Sequence, residues 1–316
     1  MTRRASLVQI FVCVTLVVVA ADQETCDKTK CLGPLKYYDD LGCKPVYDKE
    51  GDCCASKYDC NHLNERAADK CYINGNEYAI GEELKDEDAN PCDRACVCRM
   101  GYEGHTAFTC AVVDCFVPPP PQPGCYQRKS PLDCCSTETI CPEKPEDVAT
   151  CVVNGKTYKD GEYFTVEEDP EMTCICQPGY EGKNIEPFCA KPKRSSCNVG
   201  FHDTQSIHQH CAPVYYNSQS PQTDCNLSTR CQNANDTVIH NNHDDLKSAE
   251  TPDDDNVCLF GNLKMHLGDE LNQGTDYSSV CVKCVCEVPP IPTCQRLPNY
   301  ECDVTKHIVF ENAAPL

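Results

Sequence analysis

The stretch CYINGNEYAIGEE occupies residues 71–83, CVVNGKTYKDGEY repeats its plan at 151–163, and CLFGNLKMHLGDE follows it more loosely at 258–270. Each opens on a cysteine, places a two-residue turn at the fourth position, and carries a glycine at 81, 161 or 268. Asn74-Gly75 and Asn154-Gly155 suit a type I′ hairpin turn, and Gly261-Asn262 suits type II′. Short apolar strands flank the turns, and Tyr78, Tyr158 or Met265 is placed to pack on the cysteines.

The cysteines extend the repeat. The region 71–141 holds ten: Cys71, Cys92, Cys96, Cys98, Cys110, Cys115, Cys125, Cys134, Cys135 and Cys141. The region 151–231 holds eight and lacks the counterparts of Cys92 and of Cys134, where Asp224 stands. A free buried thiol is a liability in an oxidising compartment, so disulfide partners are lost together. The joint loss predicts a Cys92–Cys134 bridge. Residues 22–60 carry only the last six positions of the frame, and 258–302 only the first six. Every module holds an even number and can close on itself.

Composition sets the compartment. The chain has 31 cysteines in 316 residues, no Trp and 8 Phe, the makeup of a disulfide scaffold. Arg3 and Arg4 precede an apolar run ending in small residues, so 1–21 reads as a secretory signal. That run falls short of the ~20 residues a membrane-spanning helix needs. Its removal takes Cys13 away and leaves 30 cysteines for about fifteen bridges, each typically worth ~2–4 kcal/mol. The predicted fold class is therefore small disulfide-rich modules of short antiparallel β-strands and loops, strung into an elongated chain. Helix signals are weak throughout.

Linkers separate the modules. PEKPEDVAT (142–150) joins the two central ones. The acidic segment 232–257 has no cysteine before the last module and no hydrophobic periodicity, and reads as flexible and solvated. FVPPPPQPG (116–124) reads as a stiff polyproline spacer inside the first complete module, and 303–316 as a tail. The net charge of −21 excludes nucleic acid and anionic membrane surfaces as natural partners and favours a basic one.

The frame resembles the von Willebrand factor type C module. That resemblance rests on the leading cysteine, aromatic and glycine, on the CxxCxC of CVKCVC (281–286) with a longer variant in CDRACVC, and on the double-cysteine endings LDCCSTETIC and GDCCASKYDC. The tryptophan usual in that family is replaced by Leu84, Phe164 and Leu271. The resemblance implies a Cys96–Cys110 bridge. A competing EGF-like signature in CVCRMGYEGHTAFTC predicts Cys98–Cys110 instead.

Other chemistries find weaker support. Zinc or redox use of CxxC needs reduced thiols or a βαβ context. His202, His208 and His210 read as exposed loop histidines, and His240 and His243 lie beside acidic residues. PDDDN lacks the spaced ligands of a calcium loop. No catalytic motif is present, and no cofactor or metal is expected. Asn226 and Asn235 head N-glycosylation sequons.

The resemblance implies a secreted, non-enzymatic protein that binds growth factors of the BMP/TGF-β type. Its contact edge would be the leading hairpin and its exposed apolar residues Tyr72, Ile73, Val152 and Val153. Two further readings are an extracellular-matrix or cuticle glycoprotein and a secreted arthropod-type immune or signalling factor.

Overall fold

The computed structural model describes residues 26–101, 104–116, 122–135, 138–167, 169–193, 197–202, 204–241, 256–272, 274 and 279–303. The expected signal segment, residues 304–316 of the tail, prolines 118–121 and linker residues 242–255 lie outside them.

The described residues form small modules of short, mainly antiparallel strands held by fifteen disulfides. Three leading hairpins recur: Lys70–Ile73 with Asn76–Ala79, Thr150–Val153 with Lys156–Lys159, and Val257–Phe260 with Leu263–His266. The leading cysteine faces Tyr78, Tyr158 or Met265 across the hairpin in each. Asn74 and Gly75 have φ of 49° and 80°, Asn154 and Gly155 48° and 76°, as a type I′ turn requires. In the third hairpin Gly261 alone of its pair turns positive, at 56°.

The closing glycine has one job in all three. With φ near 93°, 86° and 83°, Gly81, Gly161 and Gly268 aim their N–H groups at the carbonyls of Cys98, Cys176 and Cys286, each at 2.8 Å. Those cysteines are the disulfide partners of Cys71, Cys151 and Cys258. The bridge and the backbone bond thus fasten each hairpin to its second sheet at one place. A side chain at this φ would be strained.

Cys92 is joined to Cys134 with Cα atoms 4.6 Å apart, and Cys96 to Cys110; Cys115–Cys135 and Cys125–Cys141 complete the module. The half-modules follow the same logic. Cys26 and Cys53 hold the frame positions of Cys110 and Cys134, whose partners are missing, and they bond to each other. Cys281 and Cys302, in the places of Cys92 and Cys115, do the same.

Disulfides form much of the interior. Each leading hairpin covers a cluster in which cysteines sit beside a few apolar side chains: Tyr78 and Phe108; Phe164 and Val166; Phe260, Met265 and Leu271. Leu84, Phe164 and Leu271 occupy the same place in the three clusters. A fourth cluster gathers Tyr37, Tyr38, Leu41, Leu63 and Val199 around the short helix Leu35–Leu41.

The modules are not laid out end to end. Ala212–Tyr215 pairs in parallel with Thr293–Arg296, placing the second module's back half in one six-stranded sheet with the last module. Tyr58 donates its N–H to the Pro289 carbonyl, and Gly33 donates to the Glu287 carboxylate. The two half-modules at the chain's ends therefore pack together, and the expected elongated chain is folded back on itself at its ends.

The linker expected over 232–257 is ordered in its first ten residues. Val238–Ile239 pairs with Glu270–Leu271, and Asp236 is buried in an ion pair with Arg230 at 2.6 Å, both side chains fully enclosed. Two apolar residues are too few to show a period, and an acidic residue reads as solvated until its distant partner is known. Among the described residues no helix is long and apolar enough to cross a membrane.

Candidate functional site

The hairpin apolars separate according to strand geometry. Successive residues of a strand face opposite sides, so Ile73 follows buried Cys71 inward and Val153 follows buried Cys151. Both are half-buried against their module cores. Tyr72 and Val152 take the other face. Tyr72 is engaged there, since its hydroxyl accepts the Ala67 N–H at 2.9 Å and the Arg66 guanidinium stands 5.3 Å from its ring centroid. Val152 is 66% exposed. The expectation of four exposed contact residues is thus corrected to one, and the period-two alternation beside a buried cysteine was the available signal.

The first two leading hairpins are two-stranded sheets whose outer edges pair with no other strand among the described residues. In the third, Leu259 gives its N–H to the Pro290 carbonyl at 2.8 Å. Open strand edges can accept a further strand from a partner.

Two clefts lie beside these edges. The larger, about 700 Å³, is lined by apolar side chains that include Tyr37, Leu63, Val257 and Ile291 and by polar ones that include Lys57, Asp59, His210 and Lys264. It is made by segments distant in sequence, so no local motif announced it. The smaller, about 440 Å³, lies along Tyr72, Ile73 and Asn74 and is bounded by Asp40 and Arg66. Asp40 accepts the N–H groups of Val199 and Cys197 at 2.9 and 3.2 Å, and burial pushes its carboxyl above the usual range. Burial likewise lowers the Arg66 pKa. Both groups are partly buried, and Asp40 is held in place by the backbone donors of Val199 and Cys197.

Of the histidines expected in an exposed loop, His210 is exposed in a turn, whereas His208 departs from the expectation. His208 lies in the short helix Thr204–His208 and stacks on His105 with ring centroids 4.6 Å apart. Burial, reinforced by His105 and Arg66, holds its pKa below the ordinary value. His240 binds Asp269 instead, at 2.9 Å. His243 lies outside the described residues.

Close cysteine groups such as Cys115, Cys134 and Cys135 are neighbouring disulfides rather than thiolate sets. A disulfide sulfur is not the thiolate that metal ligation requires. Asn226 is half-buried and donates its amide to the Ser228 carbonyl at 3.0 Å; Asn235 is exposed. No family model and no solved structure matches the chain. Heavy disulfide bonding fits a protein of the extracellular space.

Proposed function

We propose that this is a secreted, non-enzymatic binding protein of the von Willebrand factor type C kind, whose leading hairpins engage a growth factor of the BMP/TGF-β type. One observation carries the reading: a disulfide-fastened hairpin, present three times, pairs its outer edge with no other strand among the described residues in its first two copies, and leaves an apolar side chain, Val152, exposed on the second. Edge addition by a strand of the ligand is the binding mode this suits. The net charge of −21 favours a basic ligand surface. The proposal assigns no catalysis and no cofactor to the chain, in keeping with the absence of catalytic motifs from its sequence.

The test is a surface-binding measurement of the oxidised chain against a panel of extracellular growth-factor dimers. Binding below micromolar concentration to a member of the panel is the expected result. Failure to bind any of them at micromolar concentration would favour the matrix-spacer reading.

A further inference from the structure

We propose that His240 and His266 form a binding site for a divalent transition-metal ion, with Asp269 as the carboxylate that positions His240. The repeat itself accounts for part of this arrangement. In each leading segment the acidic residue after the closing glycine, Glu82, Glu162 or Asp269, accepts the N–H of the residue three positions earlier, at 2.6, 2.7 and 2.8 Å. That bond closes a turn and needs no ligand. The two imidazoles gathered around the third copy are what the turn leaves unexplained. The places corresponding to His266 hold Ala79 and Lys159 in the other two copies.

His240 reaches this carboxylate because it directly follows Val238–Ile239, the strand paired with Glu270–Leu271. Asn241 holds the segment down by donating its amide to the Gly268 carbonyl at 2.9 Å. Asp269 is only 3% exposed, and its Oδ2 lies 2.9 Å from His240 Nδ1. A carboxylate only accepts, so Nδ1 carries the proton and Nε2 of the neutral ring keeps its lone pair. A carboxylate behind one imidazole nitrogen, with the other left for a metal, is the usual support of a histidine ligand.

His266 supplies the second nitrogen. Its ring centroid is 6.4 Å from that of His240, with the planes 44° apart, and both side chains are exposed. Two imidazoles sharing one ion at ~2.0–2.1 Å per bond stand with centroids roughly 5 Å apart. The exposed His266 side chain has the torsional freedom to make up that difference while Asp269 holds His240. Glu270 next door is paired with Lys283 at 2.9 Å. Two neutral nitrogens select zinc, copper or nickel over calcium and magnesium, which take oxygen ligands. Water fills the remaining positions. The site is independent of the growth-factor reading.

Isothermal titration of the full oxidised chain with zinc chloride at neutral pH tests this. Micromolar binding is expected, weakened tenfold or more by His240→Gln and by His266→Gln, with calcium chloride giving no heat at the same concentrations. Both substitutions replace exposed side chains and keep the backbone donor of residue 266, and near-ultraviolet circular dichroism checks that the fold is kept. Broadening or shift of the two imidazole resonances on zinc addition provides a readout separate from affinity. Wild-type affinity in the His240→Gln, His266→Gln double variant, or no heat from the wild type at hundreds of micromolar zinc, would overturn the proposal.

Discussion

The hydroxyl of Tyr38 lies 2.6 Å from the carbonyl oxygen of Val288, a residue 250 positions further along the chain. The Tyr38 hydroxyl oxygen also accepts the Ile291 N–H at 2.9 Å, and it lies 3.1 Å from the Ile291 carbonyl oxygen. The ring is fully buried and stacks on Tyr58 with centroids 4.2 Å apart. Burial raises the phenol's pKa well above its ordinary value, so the donor stays protonated.

Removing that hydroxyl should loosen the two ends of the chain from each other. Tyr38→Phe keeps the ring but leaves the Ile291 N–H and two carbonyls without their partner, a loss of about 1–3 kcal/mol. Hydrogen exchange should accelerate together in residues 35–43 and 288–291, while the hairpin at 151–159 keeps its protection. Unchanged exchange in the first two segments would show that the hydroxyl does not hold the ends.

The Cys92–Cys134 bridge makes a different contribution. It spans 42 residues, the longest loop any of the fifteen disulfides closes, and by loop entropy is worth about 4 kcal/mol. Cys92→Ala with Cys134→Ala should therefore lower stability to urea by about that amount. The second module dispenses with this bridge and still closes both halves, through Cys151–Cys176 and Cys197–Cys225. Each half of the variant should thus keep its own disulfides while coupling between them weakens, which limited proteolysis within 116–124 would reveal. Removing Cys92 alone should be worse, because it frees the Cys134 thiol for wrong pairing.

What the sequence made legible is what local stereochemistry and pairing parity determine. Asn-Gly turns and the closing glycines mark the hairpins because few residues tolerate their positive φ. The joint absence of two cysteines marks the Cys92–Cys134 bridge because a lone thiol is not tolerated. The contacts that fold the chain back have no such signature. Tyr38 is one tyrosine among 15, and nothing local distinguishes it. Asp236 looks solvated until Arg230 is brought over it, and the large cleft exists only where distant modules meet. The inward turn of Ile73 and Val153 was readable from alternation beside a half-cystine. Judging apolar residues as an exposed group obscured it.

Acid should act through Asp88. Its carboxylate is buried beneath the first hairpin turn and accepts the Tyr78 hydroxyl and the Asn74 and Asn76 amides, the last two at 2.9 and 2.8 Å. Burial is the largest single influence and pushes the pKa up, but the donated hydrogen bonds together outweigh it and hold the carboxyl below its ordinary value. A folded-state pKa below the unfolded ~3.9 means this stabilisation is complete above about pH 4 and is lost as pH falls through the folded value. Asp88→Asn should therefore be less stable than wild type at neutral pH, with the gap narrowing below pH 4 in acid-urea titrations. At the other extreme, burial and the Asp88 hydrogen bond push Tyr78 up to about 12. Its contribution should persist below pH ~10 and disappear as pH rises through about 12, which tyrosinate absorbance can follow.

The binding hypothesis is best tested at Val152, because its location separates recognition from folding. A charge at this exposed position should alter stability by no more than ~0.5 kcal/mol. If the hairpin face is the contact, Val152→Asp should weaken growth-factor binding by ~2 kcal/mol or more, about thirtyfold. Ile73→Asp supplies the contrast, since it places an unpaired carboxylate against the buried disulfide cluster of Tyr78 and Phe108 and should unfold the first leading segment. Its loss of binding would then be accompanied by a lower melting temperature, whereas that of Val152→Asp would not. Binding of Val152→Asp at wild-type affinity would remove the hairpin face from the contact and leave the cleft of about 700 Å³ between the modules as the place to look.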